Sequence, residues 1–291
     1  MQTRSLKTLV KIAQVNSFAV AAEQLNMTLS AVSMQMKSLE NELGVLLFDR
    51  EYRPPKLTPL GRSVVRQAGA MIHEEDTLMR ICNPDDRLTG RFRLGFVTTA
   101  STRLLPAFLK HARKKAPDAT FDLESGLSEP LERKVSSGQL DAAVITLSGE
   151  VDRRLRTRIL REEQLVFAGP RGTGAGSLNA LIRTTPFLHF MPNTGIGRLI
   201  AEEMSKSTTG DLHSKIILDS VEAIMECVKQ GIGFTLLPEP DVKRYSDDSV
   251  QVIYPKGEGI RRKLALVSSS SALSEPAAAL LADLLVFQNE Q

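Results

Sequence analysis

Two cysteines and four histidines are the side chains from which a metal, redox or nucleophilic centre would have to be built in this 291-residue sequence. Cys82 and Cys227 lie far apart and match no metal-ligand or disulfide spacing, so they read as reduced thiols, with a redox-sensing pair as the alternative. His73, His111, His189 and His213 stand alone, without the i, i+4 spacing of a helical metal site. No Ser/His/Asp set or paired carboxylates can be defended as catalytic, and the sequence points to no enzyme, no metal and no cofactor. The stretch Gly172-Thr173-Gly174-Ala175-Gly176 lacks the Gly-Lys-Ser/Thr ending of a phosphate loop and reads as a connection.

Chemistry of another kind is concentrated near the N-terminus. Residues 1–70 hold nine Lys/Arg against five Asp/Glu, a larger excess than the net +3 of the whole chain. Arg50, Arg53 and Lys56 surround a Pro54-Pro55 turn, which has the composition of a loop lying on a phosphate backbone. Such contacts supply affinity and register rather than sequence choice. Just upstream, Ser30, Met34, Lys37, Ser38 and Asn41, with Ser33 at the flank, fall on one face of a helix. Short hydroxyls and a single lysine leave that face free to approach a groove.

The elements that must position these groups follow from periodicity and capping chemistry. Leu6, Leu9, Val10 and Ala13 have helical spacing, and Asn16 suits a left-handed helix end. Ser17 caps a second helix from Phe18 to Leu25, Asn26-Met27 makes a turn, and Thr28 caps a third helix that stops at Gly44. Val32, Met36, Leu39 and Leu43 form its core stripe; Leu46, Leu47 and Phe48 are expected to close that core, and Leu57-Thr58 to return as a short strand. Two helices, a tight turn, a third helix with a groove-compatible face and a basic loop describe a winged helix-turn-helix.

The segment SFAVAAEQLNMTLSAVSMQMKSLENELGVLLFDR…LTPLGR resembles the N-terminal domain of LysR-type transcriptional regulators. The matching positions include Ser17-Phe18, Ala21-Ala22, Leu25, Ala31, Ser33, Gln35, Leu39-Glu40, Leu43-Gly44, Leu47-Phe48, Arg50, Leu57-Thr58 and Gly61. The resemblance implies double-stranded promoter DNA as a partner. The candidate DNA-binding residues are Ser17, Thr28, Leu29, Ser30, Ser33, Met34, Lys37, Arg50, Arg53 and Lys56. The sequence departs from the family at Leu29, Ser30 and Met34, where Gln, Pro and Arg are usual, so its base contacts differ and the obvious bidentate reader of guanine is missing.

From Pro59 to about Cys82 a long helix carries an apolar stripe of Val64/Val65, Ala68, Met71/Ile72, Leu78/Met79 and Cys82. It is longer than a three-helix domain is expected to cover, so it packs either on the next domain or on its copy in a second subunit. The resemblance implies the second arrangement, hence a homodimer or homotetramer. Asn83-Pro84-Asp85-Asp86 ends the helix and Thr89-Gly90 gives a linker.

Beyond it, strand-like 91–97, 119–125 and 141–147 alternate with helices near 103–115 and 129–138, a βαβαβ pattern with a parallel sheet. A second α/β unit follows the arginine run 153–161: strands 165–169, 187–190, 215–218 and 234–237, with helices near 196–206 and 221–230. The arginines read as a solvated edge, with blunting of strand pairing or a subunit contact as alternatives. Strand 263–268 and helix 275–287 return to the first lobe. The expected fold is therefore an α+β N-terminal winged helix-turn-helix (1–58), a linker or dimerisation helix (59–88), and an α/β two-lobed, periplasmic-binding-protein-like effector domain (91–291). Lobe I is expected over about 91–161 plus 267–291, and lobe II over about 162–266.

The segment Val228-Lys229-Gln230-Gly231-Ile232-Gly233-Phe234…Leu236-Leu237-Pro238 again resembles the LysR family, as do Gly126 and Gly138 before Leu140-Asp141. Ligands of open α/β sheets bind beyond the C-terminal strand ends. Here those ends offer Thr98, Thr99, Ser101, Ser125, Thr146, Asn193, Thr194 and Ser220 as candidate effector-binding residues, several of them before helix N-termini that favour an anion. Ordinary helix capping is the competing explanation for each hydroxyl. Phe190 and Phe234 are candidate apolar walls, with a core role as the alternative.

Near-average hydrophobic (42%) and charged (24%) content excludes a disordered chain or coiled-coil rod. No apolar run approaches the roughly 20 residues of a membrane helix, and the first residues lack an export signal, so a cytoplasmic protein is expected. The reading is a sequence-specific transcriptional regulator modulated by a small-molecule effector, with RNA polymerase as an implied partner. The alternatives are a cytosolic solute-binding sensor without a DNA role and a thiol-based redox regulator.

Overall fold

Local capping chemistry sets the helix boundaries at the N-terminal end. Helix α1 (Thr3–Val15) ends at Asn16, whose φ of 49° is left-handed. The Ser17 hydroxyl accepts from Val20 N (3.3 Å) and starts α2 (Phe18–Gln24); the Thr28 hydroxyl accepts from Ala31 N (3.2 Å) and starts α3 (Leu29–Leu43), which Gly44 ends at φ 68°. Strands β1 (Phe48–Asp49) and β2 (Lys56–Leu57) pair antiparallel and lead into α4 (Pro59–Ile81). The computed structural model describes residues 2–52, 54–81, 88–172, 177–207, 214–257, 259–269 and 273–286. Cys82, His213, the helix end at 83–86 and the loop 173–176 lie outside them. The chain divides into two compact units, Met1–Asp85 and Asp86–Gln291.

In the first unit Leu6, Leu9, Ile12, Val32, Met36 and Leu39 form the core, and Leu47 and Phe48 close it. Two expected core residues are elsewhere: Leu43 lies at the surface and Leu46 is 68% exposed. A charged residue takes the place beside them. Glu40 is buried because its Oε1 accepts from Leu47 N (2.8 Å) and Phe48 N (3.1 Å), while Arg50 donates to Oε2 (2.8 Å). The carboxylate thus turns the chain after Gly44 back over the end of α3, and Leu46 is left pointing to solvent. The long helix also departs from the expectation that it has no partner in its own unit. Ala68 is buried, and Val64, Val65 and Ile72 pack on the same core. Lys7 of α1 pairs with Glu75 at 2.7 Å. Met71, Leu78 and Met79 remain exposed, so the apolar stripe is divided between an inner and an outer face.

The second unit begins β3 (Gly90–Val97), α5 (Thr98–Lys115), β4 (Ala119–Gly126), α6 (Ser128–Ser136), β5 (Ala142–Leu147) and β6 (Leu155–Pro170). It continues α7 (Leu178–Thr184), β7 (Phe187–Phe190), α8 (Gly195–Ser207), β8 (Lys215–Leu218), α9 (Val221–Lys229) and β9 (Phe234–Pro238). It closes with α10 (Glu239–Tyr245), β10 (Val250–Ile253), β11 (Arg261–Ser269) and α11 (Glu275–Val286). The sheet order is β4-β3-β5-β11-β6-β9-β7-β8, with β10 on β6. Parallel pairs β4-β3-β5 and β9-β7-β8 make two lobes, joined by the antiparallel strands β6 and β11. At the entry to β9, Gly231 takes φ 74°, and a Cβ on Gly233 would lie 2.5 Å from the Pro186 carbonyl oxygen.

The arginine run is a solvated edge, as expected. Arg156, Arg158 and Arg161 lie in the first half of the sixteen-residue strand β6, which pairs with β11 on one side alone, and the separately expected strand 165–169 is the second half of the same strand. Arg156 and Arg158 reach Glu275 (3.3 Å) and Asp283 (3.8 Å) on α11. Helix α5 starts at Thr98, several residues earlier than its periodicity implied, while α7, α10 and β10 escaped the sequence reading.

Where the crossing strands meet the helices, Arg262 of β11 is wholly buried opposite Glu163 of β6. Its Nε donates to Glu163 Oε2 (2.9 Å) and its Nη1 to Thr99 Oγ1 (2.7 Å). Arg103 of α5 donates to Asp241 of α10 (2.7 Å) and pairs with Glu163 at 3.0 Å. Burial pushes the Glu163 carboxyl up, but the Arg262 and Arg103 guanidiniums outweigh it and hold the group below its ordinary 4.5. Glu163→Gln leaves two buried guanidiniums short of a counter-charge and is expected to cost about 3–5 kcal/mol. Hydrogen exchange in β6 and β11 of the full chain reads that loss. A carboxyl held low stabilises the fold above its ordinary value, so the Glu163 contribution should fade as pH falls below 4.5 through its depressed value. Unchanged protection in the variant would remove the cluster from the forces holding the lobes.

Candidate nucleic-acid interface and ligand cleft

Because Val32, Met36 and Leu39 face inward, the opposite side of α3 is presented to solvent. Leu29, Ser30, Ser33, Met34, Lys37, Ser38 and Asn41 are all at the surface, Met34 by 72%. Thr28 and Ser17 are caps, and Thr28 Oγ1 also lies 3.0 Å from Ser30 Oγ. Each cap uses an oxygen lone pair and leaves its position at the unit's surface intact. Ser17, Phe18, Leu29, Ser33, Phe48, Arg50, Pro54 and Pro55 border one hollow of about 410 Å³ between the helix starts and the wing. The hollow was not foreseen from sequence, since it arises from the wing folding back toward α2.

The wing cations have different surroundings. Arg50 is tied to buried Glu40, so it serves the fold as well as presenting charge. Lys56 sits 4.5 Å from the centre of the Tyr52 ring, which fixes the direction of its stem. Arg53 lies outside the described residues.

Within the second unit, a cavity of about 190 Å³ opens between the lobes. Its lining includes Thr98, Thr99, Ser128, Thr194, Gly195 and Asp219, with Val97, Leu127, Phe190, Met191 and Ile196 as apolar wall. The starts of α5, α6 and α8 all border it, and leading helix N–H groups favour an anion, with Gly197 N at the α8 start already taken by the Thr194 hydroxyl (3.1 Å). Met191 has φ 33°, strained for a residue with a Cβ, and Gly197 packs against its carbonyl so closely that no side chain fits there.

The eight expected ligand residues divide sharply. Thr98, Thr99 and Thr194 line the cavity, whereas Ser101, Ser125, Thr146, Asn193 and Ser220 do not. The physical reason is capping and local bonding. Ser101 is buried and donates to Thr98 O (2.9 Å), and Ser220 accepts from Ala223 N to cap α9. Ser125 and Asn193 are exposed away from the space. Even the three lining hydroxyls are engaged: Thr98 donates to Gly126 O (3.2 Å), Thr99 accepts from Arg262, and Thr194 donates to Met191 O (2.8 Å) while accepting from Gly197 N. The Thr146 hydroxyl is buried without a hydrogen-bond partner among the described residues, and its backbone N–H donates to Ser128 Oγ (3.1 Å). Phe190 forms wall as expected, and Phe234 is core. Sequence reasoning missed Ser128 and Asp219, although both stand close to a helix start.

Among the described residues no group of three or more His, Cys, Asp or Glu is arranged to hold a metal, and no helix is long and apolar enough to cross a membrane. His189 is buried with Nε2 3.1 Å from Gly197 O, and burial holds its pKa below the ordinary 6.5. Cys227 is a half-buried free thiol on α9.

Residues 3–62 match the bacterial regulatory helix-turn-helix of the lysR family, and residues 85–288 match the LysR substrate binding domain. The regulator CzcR of Bacillus anthracis is 31% identical over 248 residues, spanning 84% of this chain and 83% of its own. EstR of Acinetobacter baylyi is 27% identical over 261 residues, with 84% and 83% covered. Among solved structures, a cysteine mutant of OxyR from Corynebacterium glutamicum superposes with a TM-score of 0.71 at 21% identity, covering 98% of this chain and 91% of its own. The LysR-family regulator CbnR superposes with 0.63 at 18% identity, covering 98% of both chains. These structural likenesses carry the fold. With both family domains matched in order along nearly its full length, the chain belongs to the LysR family of transcriptional regulators, with a DNA-binding helix-turn-helix and an effector-binding domain.

Proposed function

We propose that α3 enters the major groove of operator DNA with Ser30, Ser33 and Met34 toward the bases. In this reading Ser17, Thr28, Lys37, Arg50 and Lys56 meet the phosphates and Leu29 packs at the groove edge. The observation that carries it is the exposed α3 face, whose Ser30, Ser33, Met34, Lys37, Ser38 and Asn41 include no carboxylate, beside a wing with basic side chains. Work on operator DNA belongs to the cytoplasm, and control of transcription from it brings contact with RNA polymerase. The second unit binds its ligand without converting it.

Site selection from random duplexes with the full chain, followed by gel shifts at several salt concentrations, tests the DNA reading. Lys37→Ala removes one phosphate-range cation and is expected to reduce the salt slope by about one unit. An unaltered slope together with unaltered affinity would take α3 out of the interface.

Met71, Leu78 and Met79 form an apolar outer face on α4 that we assign to a second copy of the chain, giving a dimer that pairs further into a tetramer. Replacing Met71 and Leu78 together with Lys should lower the sedimentation mass of the full chain and weaken DNA binding with it. An unchanged mass would refute the assignment.

The ligand we infer is a small molecule bearing an oxyanion, or an equivalent acceptor, for the three helix starts and a hydrogen-bond donor for Asp219. Among the described residues the cavity lining holds no Lys or Arg, so backbone N–H groups must take the acceptor. Thermal-shift screening identifies ligands. Ser128→Ala should then weaken binding several-fold, the equivalent of about 1 kcal/mol for one hydrogen bond. Ser125→Ala and Asn193→Ala should leave it unchanged. The opposite pattern would move the site.

A further inference from the structure

We infer that Met34 is a base-reading side chain, and that it selects a thymine by packing on the thymine C5-methyl group. The inference rests on the proposed placement of α3 in the major groove and adds to it the chemistry of one recognised base.

Met34 is 72% exposed, the most exposed large apolar side chain among the described residues. It occupies the centre of the presented face: Ser30 lies one turn before it and Lys37 one turn after, at helical spacings of four and three. The two other side chains near the start of that face have less freedom. Ser30 Oγ lies within hydrogen-bond distance of Thr28 Oγ1 (3.0 Å), and Leu29 borders the hollow toward the wing. Between Leu29 and Asn41 the only carboxylate is Glu40, which is buried and bonded to Leu47 N, Phe48 N and Arg50. The exposed carboxylate of α3, Glu42, stands in its last turn, eight residues beyond Met34.

The chemistry of the thioether then decides the base. Methionine offers no hydrogen-bond donor and only a weak acceptor, so it cannot form the bidentate pairs that read guanine or adenine. In the major groove the apolar feature is the C5-methyl of thymine. An unbranched side chain with three rotatable bonds adapts to that methyl without demanding a fixed approach angle. Lys37, one turn away, supplies attraction to the backbone without base choice. A guanine-containing pair at the same position would bury the thioether against unpaired N7 and O6 acceptors, which is unfavourable.

The test uses the full chain and does not require a known operator. Sites are selected from random duplex DNA by the wild type, and each thymine of the selected half-site is replaced in turn by deoxyuridine, which lacks only the methyl. At one position per half-site the wild type should lose about fourfold in affinity, the worth of one buried methyl-sized group. Met34→Ala should bind the thymine and uridine duplexes equally. Met34→Arg, selected afresh, should prefer guanine at that position. Indifference of the wild type to uridine at every thymine would overturn the inference while leaving the DNA reading intact. An equal uridine loss in wild type and Met34→Ala would overturn it by assigning the methyl to another side chain. A change in oligomeric mass on Met34→Ala without a change in base preference would overturn it in favour of a contact between copies. Failure of the wild type to select any duplex would overturn the DNA reading itself.

Discussion

Two guanidiniums and two carboxylates with almost no access to water are the constraint on which the second unit depends. Taking any one of them from water costs several kcal/mol, and such a cluster survives only where charges balance and hydrogen bonds are well made. Here they balance: Arg262 and Arg103 against Glu163 and Asp241. The members come from β11, α5, β6 and α10, so the cluster fastens the two crossing strands to a helix of each lobe. Glu163, held from both sides, stays below its ordinary pKa, whereas burial carries Asp241 above its own despite both guanidiniums. Thr99 belongs to both the cluster and the cavity lining, since its hydroxyl accepts from Arg262. The ligand space and the lobe junction thus share a side chain.

The first unit solves a smaller version of the same problem. Glu40 is a buried carboxylate on α3 that takes two backbone N–H groups and one guanidinium. An anion accepting backbone hydrogen bonds is a stronger positioning device than an apolar contact, because the donors cannot be left unpaired. The consequence reaches the surface. Arg50 is spent partly on Glu40, while the Lys56 stem is steadied by Tyr52.

What could be read from the sequence was local. Ser17, Thr28 and Gly44 delimit helices through bonds to residues three or four positions away and Asn16 through a left-handed φ, and each sits where its chemistry required. The strands 187–190 and 234–237 were legible because buried parallel strands are short, continuous apolar runs, and the exposed edge strand 215–218 through its β-branched pair Ile216-Ile217. What could not be read was decided at a distance. Periodicity put Leu43 and Leu46 inside, but Glu40 redirected the chain around them. The charged run of β6 was legible as a surface edge, but not as one strand with 165–169, because its strand neighbour, β11, lies a hundred residues away in sequence. Nor does periodicity reveal that Arg262 and Glu163 face each other across two strands.

The ligand cleft shows the limit most clearly. Hydroxyls at strand ends were the visible signal, yet a hydroxyl there is claimed first by the adjoining helix, whose leading N–H groups need an acceptor. Thr194 and Ser220 answer that claim, and Thr98 is drawn to the neighbouring strand through Gly126. What forms the cavity is the meeting of the α5, α6 and α8 starts, which no motif displays. Gly197, pressed against the Met191 carbonyl, and the positive φ of Met191 are the features that hold the α8 start in place. The shape of this cleft is therefore written in backbone position, with Ser128 and Asp219 among the side chains that line it.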